Sequence, residues 1–217
     1  VQIQAIETTD VQALTTAQLV GLSNTNLGAL TTDQIVALKS SQVAGLSTAN
    51  LGALTTEQIQ AIETTDVQAL TTAQLRGLSD TNLGALTTDQ IRSLKTSQIA
   101  GLSTANIAAL TSEQLGALST TQAAALTTAS FAGLTTADIQ NLTTEQIQAL
   151  TTSQLVALSN TNIQALSTDQ IAALKSSQVA GLSTANLGAL TTVQIQAIET
   201  TDVQALTTAQ LVGLSNT

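Results

Sequence analysis

Three pairs of carboxylates stand three residues apart in this chain: Glu7/Asp10, Glu63/Asp66 and Glu199/Asp202. Carboxylate oxygens are the ligands that Ca²⁺ prefers, so weak calcium binding is the chemistry that these pairs could perform. A protein calcium site needs about six oxygens or more and commonly a glycine-bearing loop, and the residues around each pair supply neither. The sequence therefore predicts ordinary surface charge at these positions and no metal-binding residues.

The chain has no His, Cys, Met, Tyr or Trp, and so lacks the usual general bases, thiol nucleophiles and haem ligands. Its many Ser and Thr hydroxyls recur in fixed positions, without a neighbouring base to activate them. We therefore predict that the protein is not an enzyme. We also predict no catalytic residues, no cofactor-binding residues and no cofactor.

The fixed positions come from a tandem repeat of eight residues, here called an octad. Leu or Ile occupies every eighth position from Ile6 to Leu214, 27 times in succession without an insertion. Counted from that residue as slot one, the consensus is Leu-Thr-Thr-x-Gln-Ile-x-Ala, as in residues 54–61. Slot six is apolar throughout, slot three holds only Thr, Ser, Asn or Asp, and slot eight is Ala or Gly except at Ser93 and Asn141. A short fixed period of this kind is typical of a solenoid or fibre, in which neighbouring repeats bury each other's apolar face.

A continuous helix cannot carry this pattern. Eight residues of α-helix rotate by roughly 800°, about 80° beyond two full turns, so the Leu stripe would wind around the whole surface. Supercoiling accommodates about 3.5 to 3.67 residues per turn, whereas the octad would require about 4.0. Each octad must therefore supply a short helix and then a new start.

The start signal is present in slots two to five. In Thr15-Thr16-Ala17-Gln18 a hydroxyl residue is followed three positions later by Gln, the arrangement of a capping box. We predict an all-α solenoid with one very short capped helix per octad, whose interior is formed by slots six, eight and the next slot one. Where slot two is Glu and slot five is Asp, the two carboxylates would repel, and we expect the cap to move to Thr8, Thr64 and Thr200.

A β-solenoid is the alternative fold, because Thr is abundant and favours strands. Slots one and six alternate five and three residues apart, both odd numbers, so a straight strand would send them to opposite faces. A β-solenoid would therefore need a corner in every octad. Ala, Gln and Leu favour the helical alternative.

One irregularity indicates complementary packing. Ala123 is the only small residue in slot six, and the next residue in that column is Phe131, the only aromatic residue of the chain. We expect Phe131 to fill space that Ala123 leaves empty.

The array also repeats in larger blocks. Val1–Thr25 recurs unchanged as Val193–Thr217, 192 residues or 24 octads later, and residues 2–19 recur as residues 58–75, seven octads later. No change of composition marks a domain boundary. We predict a single continuous array over residues 1–217, taken from a longer array with a 192-residue super-repeat.

The net charge of −9, from 14 acidic and 5 basic residues, argues against a nucleic-acid partner, because phosphate binding needs clustered Lys and Arg. Apolar residues make up 43% of the chain but occur in short runs, so no membrane span is expected.

Segments such as residues 30–38, Leu-Thr-Thr-Asp-Gln-Ile-Val-Ala-Leu, resemble the repeats of very large bacterial surface and secreted proteins described as adhesin-like or haemagglutinin-like. The resemblance covers essentially the whole chain and implies an extracellular or cell-surface stalk or filament, with no site residues to transfer. The same nine residues also resemble the first helix of TAL-effector repeats. The second helix, base-reading loop and basic stripe of that family are absent, so DNA binding is not implied.

Sequence and resemblance together predict a structural extracellular repeat protein that forms a fibre, filament or adhesin stalk by stacking of octads. Its expected partner is itself, through head-to-tail or lateral assembly, with cell-surface or matrix polysaccharide as a further partner. The alternative function is a module that binds a repetitive ligand, polysaccharide or ice, through a ladder of hydroxyl and amide groups. Interruptions of the Thr columns by Glu7, Lys39, Asp80, Lys95 and Lys175 favour the structural function.

Overall fold

A computed structural model describes residues 2–214 of the chain. Within that range a 3-10 turn, Gln2–Ala5, is followed by 26 α-helices of five or six residues, one per octad, and no strand is found there. The prediction of an all-α solenoid of short helices is confirmed, and the β-solenoid alternative is wrong. The chain divides into two compact units, residues 1–110 and 111–217.

The first unit contains thirteen of these helices, numbered in chain order. Their bounds are α1 Thr8–Ala13, α2 Thr16–Val20, α3 Asn24–Gly28, α4 Thr32–Val36, α5 Ser40–Gly45, α6 Thr48–Gly52, α7 Thr56–Ala61, α8 Thr64–Ala69, α9 Thr72–Arg76, α10 Asp80–Ala85, α11 Thr88–Ser93, α12 Thr96–Gly101 and α13 Thr104–Ala108.

The second unit contains the other thirteen described helices. Their bounds are α14 Ser112–Gly116, α15 Thr120–Ala125, α16 Thr128–Ala132, α17 Thr136–Asn141, α18 Thr144–Ala149, α19 Thr152–Val156, α20 Asn160–Ala165, α21 Thr168–Ala172, α22 Ser176–Gly181, α23 Thr184–Ala189, α24 Thr192–Ala197, α25 Thr200–Gln204 and α26 Thr208–Val212.

Two extended residues, slots one and two, separate each helix from the next. Between α5 and α6, Leu46 has φ −63° and ψ 141°, and Ser47 has φ −72° and ψ 162°. The Leu46 N–H still donates to the carbonyl of Val43, so the last turn closes with a three-residue bond. Because these φ values are negative, the break needs neither a left-handed glycine nor a proline.

The capping box predicted at slots two and five is present. Thr15 Oγ1 accepts from the Gln18 N–H at 3.2 Å, while Gln18 Oε1 accepts from the Thr15 N–H at 2.8 Å. Where slot two is Glu, the expected shift of the cap to Thr8, Thr64 and Thr200 is wrong. The N-cap residue remains Glu7, Glu63 or Glu199, without a side-chain cap, because these residues keep the extended backbone of an N-cap and the threonines after them are already helical.

Each helix packs against the helix three octads further along the chain. In the first unit α1 contacts α4, α2 contacts α5 and so on to α9 with α12, and in the second unit the same rule holds from α14 with α17 to α23 with α26. A turn of the solenoid within each unit therefore takes three octads, or 24 residues.

Slots one and six form the apolar interior. Slot-six residues such as Ile59 and Ile91 are at most 1% exposed, and slot-one residues such as Leu54 and Leu86 are about 5% exposed. The prediction that slot eight belongs to this interior is wrong, since Gly45 and Gly77 are exposed and most slot-eight residues are exposed or half-buried. At about 100° per residue, slot eight lies roughly 200° from slot six on the helix, whereas slot five lies beside it. The third buried column is slot five, and it is polar.

Candidate functional site: the amide column between turns

The slot-five side chain joins successive turns of the solenoid. Gln58 is 2% exposed, and its Oε1 accepts from the N–H of Thr55 at 2.8 Å. Its Nε2 donates to the carbonyls of Leu27 at 2.9 Å and Leu30 at 2.7 Å, which lie 31 and 28 residues earlier. One buried amide therefore caps its own helix and binds the C-terminal end of a helix in the preceding turn.

This geometry recurs in both units and forms what we call the amide column. Donation from slot five to carbonyls 31 and 28 residues earlier is seen for Gln34, Gln42, Gln58, Gln90, Gln146, Gln154, Gln170, Gln178 and Gln194. The accepting carbonyls belong to slot six and the following slot one. The slot-six carbonyl already accepts from the N–H of that slot-one residue, so the amide is its second donor, and the slot-one carbonyl lies beyond the last helical residue.

Asn in slot five reproduces the contact with a shorter side chain. Asn162 Nδ2 donates to the Leu134 carbonyl at 2.7 Å, and Asn82 Nδ2 donates to the Leu51 and Leu54 carbonyls at 3.5 and 3.2 Å. Among the described residues no buried side-chain nitrogen or oxygen lacks a hydrogen-bond partner. The polar column is thus compatible with the interior because its groups are paired.

Close approach between turns occurs at glycines in slots seven and eight. A Cβ on Gly45 would lie within 3.4 Å of three side-chain atoms of Thr16, and a Cβ on Gly116 would lie 2.6 Å from the carbonyl oxygen of Asn141. A Cβ on Gly52, which occupies slot seven like Gly116, would meet no atom within 4 Å. Small residues are therefore required where the backbone or a Thr side chain of a neighbouring turn is close.

Gly116→Ala should lower the free energy of unfolding by about 1 to 3 kcal/mol, since the new methyl meets a backbone oxygen that cannot move freely. Gly52→Ala is the matched control. It also ends a five-residue helix and should raise the free energy of unfolding by about 0.5 kcal/mol through the lower entropy of the unfolded chain. Chemical unfolding followed by circular dichroism measures both. Equal effects of the two variants would contradict the close contact at Gly116.

In two of the three carboxylate pairs the glutamate is exposed and the aspartate is buried. Glu63 and Glu199 are exposed, but Asp66 and Asp202 occupy slot five and are each 3% exposed, so the prediction of surface charge is wrong for these two aspartates. The described residues contain no group of three or more side chains placed to hold a metal ion.

Hydrogen bonds at the helix starts lower the pKa of two surface glutamates, Glu57 and Glu145. The Glu57 backbone N–H, with the hydroxyls of Thr55 and Thr56, lowers the pKa of the Glu57 carboxyl below its ordinary value. The Glu145 backbone N–H and the Thr143 hydroxyl lower the pKa of Glu145 in the same way. A carboxyl whose pKa is lower in the folded state stabilises the fold at neutral pH, and this contribution is lost as the pH falls through the folded-state pKa.

None of the described helices has the length and apolar character needed to cross a bilayer. The sequence pattern predicted a local capping role for slot five and did not reveal its contact with the preceding turn. A signal was available: Gln or Asn fills most slot-five positions, and Glu, a usual capping-box partner, fills none. Unlike an amide, an ionised carboxylate cannot donate to a carbonyl.

The six residues that run from slot eight to slot five, Ala-Leu-Thr-Thr-Ala-Gln, stand unchanged at 13–18, 69–74 and 205–210, and they contain the break, the cap and the amide. No curated protein matches the chain. A family model described as the ALTTAQ repeat matches residues 3–40, 35–61, 59–96, 92–128, 152–184 and 163–197, which together cover well over half of the chain. The chain therefore belongs to the ALTTAQ repeat family.

Proposed function

We propose that this chain is a structural protein that forms an extracellular fibre, filament or adhesin stalk by stacking of octads. The amide column carries the proposal. Its acceptors are backbone carbonyls, which every octad possesses, so any further octad can be added without a new site being built. The resemblance to bacterial surface proteins supports the extracellular location.

The last described turn presents the acceptor half of this stacking contact. Slot-six residues Val203 and Leu211 are 42% and 46% exposed there, against at most 1% in interior turns. A groove of about 560 Å³ lies in the same C-terminal part of the described residues, lined by residues that include Leu187, Ile195 and Leu214. This face combines exposed apolar side chains with the ends of short helices.

The first described turn presents the donor half. Its slot-five amides, Gln18 and Asn26, are exposed and half-buried respectively, whereas from Gln34 onward slot five is buried. Its slot-one residues, Ile6 and Leu14, are half-buried. The two terminal faces therefore offer the complementary groups that meet between successive turns inside each unit.

A second copy of this chain, or a further turn of octads in a longer array, would fit both faces. In our proposal the Gln18 amide of one copy donates to helix-end carbonyls of the other, and the exposed slot-six residues are covered by its first octads. Head-to-tail assembly thus continues a contact that the fold already uses.

The alternative, recognition of polysaccharide or ice by a hydroxyl and amide ladder, has less support. The amides of slot five are buried and bound to backbone carbonyls, so they are not offered to a ligand. Many slot-two hydroxyls accept a bond from the helix start.

Assembly is tested with the unaltered chain and with two single variants, Leu211→Glu and its control Val36→Glu. We expect the unaltered chain to form linear filaments that lengthen with concentration, and Leu211→Glu to prevent this by placing a charge in the terminal apolar face. Val36→Glu, at a 44% exposed slot-seven position on α4, should leave the filaments unchanged. Light scattering after size exclusion and negative-stain electron microscopy measure both. Monomers of the unaltered chain at every concentration, or filaments insensitive to Leu211→Glu, would refute head-to-tail assembly.

A further inference from the structure

Four octads carry Asp in slot five, at residues 10, 66, 138 and 202. An ionised Asp has no donor for the helix-end carbonyls of the preceding turn, so it cannot take the part of Gln in the amide column. Asp66, Asp138 and Asp202 are nevertheless 3%, 8% and 3% exposed. A buried carboxylate requires donors from elsewhere.

Asp138 Oδ2 accepts from the N–H and the hydroxyl of Thr135 in its own octad. The other oxygen, Oδ1, accepts from a serine hydroxyl of the preceding turn, and all three buried aspartates have such a serine. Ser112 Oγ donates to Asp138 Oδ1 at 2.7 Å, and Ser176 Oγ donates to Asp202 Oδ1 at 2.5 Å. Ser40 Oγ donates to Asp66 Oδ1 in the same arrangement. Every pair spans 26 residues and joins slot three of one turn to slot five of the next.

The amino-acid sequence by itself shows the same association. Among the 27 octads slot three is Thr at 20 positions and Ser at only three, residues 40, 112 and 176, which are the three partners of the buried aspartates. The pairs Ser40/Asp66 and Ser176/Asp202 lie in copies of one duplicated block, whereas Ser112/Asp138 has a different surrounding sequence. Two separate sequence contexts thus couple Ser in slot three to Asp in slot five.

The apolar packing and the amide column do not by themselves identify an octad. Slots one and six are apolar everywhere, and the amide column binds backbone carbonyls, so a turn shifted by one octad would bury equivalent groups. We infer that the Ser–Asp pair fixes the register of stacking: an octad with Asp in slot five packs on an octad with Ser in slot three.

Thr in slot three is a poorer hydrogen-bond donor to the aspartate, because its side chain packs against a glycine of another turn. The Cγ2 methyl of Thr16 and its Oγ1 both lie beside Gly45, and the same holds for Thr72 beside Gly101. A β-branched side chain has few χ1 rotamers, whereas Ser can turn its hydroxyl toward the carboxylate. Where a further turn of an array packs on α1, the rule requires Ser in slot three opposite Asp10.

The rule is tested by transplanting it to an octad that lacks it. Gln146 lies 26 residues after Thr120, and their helices α18 and α15 are in contact. Gln146→Asp should raise the unfolding equilibrium constant strongly, because it removes the amide bonds to the preceding turn and leaves one buried carboxylate oxygen without a donor. Adding Thr120→Ser to Gln146→Asp should lower the unfolding equilibrium constant again, by about ten-fold.

Thr128→Ser is the matched control, because Thr128 occupies slot three of the neighbouring octad and would face residue 146 only in a shifted register. Added to Gln146→Asp, it should lower the unfolding equilibrium constant by less than about two-fold. The chain lacks Trp and Tyr, so denaturant unfolding of dilute whole chain is followed by circular dichroism. Equal recovery by both serines, or recovery by neither, would overturn the rule. Either outcome is independent of whether the protein forms filaments.

Discussion

Gln58→Ala should lower the free energy of unfolding by about 3 kcal/mol. The change removes three hydrogen bonds of a side chain that is 2% exposed, one from the N–H of Thr55 and two to the carbonyls of Leu27 and Leu30. Each buried group left without a partner costs about 1 to 3 kcal/mol, and a cavity is added to that cost. Denaturant unfolding followed by circular dichroism gives the difference.

Two glutamines provide matched controls for the same substitution. Gln60 is exposed in the same helix, α7, and Gln60→Ala should change the free energy of unfolding by less than about 0.5 kcal/mol. Gln18 is an exposed slot-five residue with a capping box, so Gln18→Ala should cost about 1 kcal/mol, the value of a cap. If Gln58→Ala cost no more than Gln18→Ala, the bonds between turns would contribute nothing to stability.

The amide column explains how five-residue helices persist in this chain. Isolated helices shorter than about 12 residues are marginal in water, because nucleation fixes several residues for one hydrogen bond. Here most helix starts receive a side-chain cap, and helix ends offer carbonyls to the amide of a later turn. Helix formation is therefore coupled to stacking, and the stability of an octad depends on its neighbours.

The local conformation could be predicted from the sequence because its causes are local. The eight-residue period excludes a continuous helix, and Thr15 with Gln18 forms the capping box that their spacing indicates. The placement of slot eight in the interior was wrong because the rotation of the helix carries that slot away from slot six. Slot five shows how a polar residue in a repeat can be a core residue.

The number of octads per turn could not be predicted in the same way. The contact of Gln58 is with backbone carbonyls, which leave no trace in the identity of residues 27 and 30. Turn length leaves a sequence signal only where side chain meets side chain. The coupling of Ser112 with Asp138 is such a signal, and its spacing of 26 residues by itself indicates a turn of about three octads.

Phe131→Ala should lower the free energy of unfolding by about 4 kcal/mol, since Phe131 is fully buried and the change removes the largest side chain of the slot-six column. This cost does not show whether Phe131 fills space left by Ala123, which is also fully buried in the neighbouring octad. Restoring the ordinary residue of the column at both positions separates the two effects. Unfolding of the single variants Phe131→Leu and Ala123→Leu is compared with that of the double variant.

If the two side chains share one space, each single change is harmful for an opposite reason. Phe131→Leu leaves a cavity, and Ala123→Leu overfills the interior at a cost of about 1 to 3 kcal/mol. The double variant should then lose less stability than the two single variants lose in sum, by about 1 kcal/mol or more. The added methyl groups of Leu at position 123 would occupy the volume vacated at position 131. Additive costs would show that the two residues vary independently. In that case the column tolerates a local change of volume without compensation from its neighbour, and Phe131 packs against the turns above and below instead.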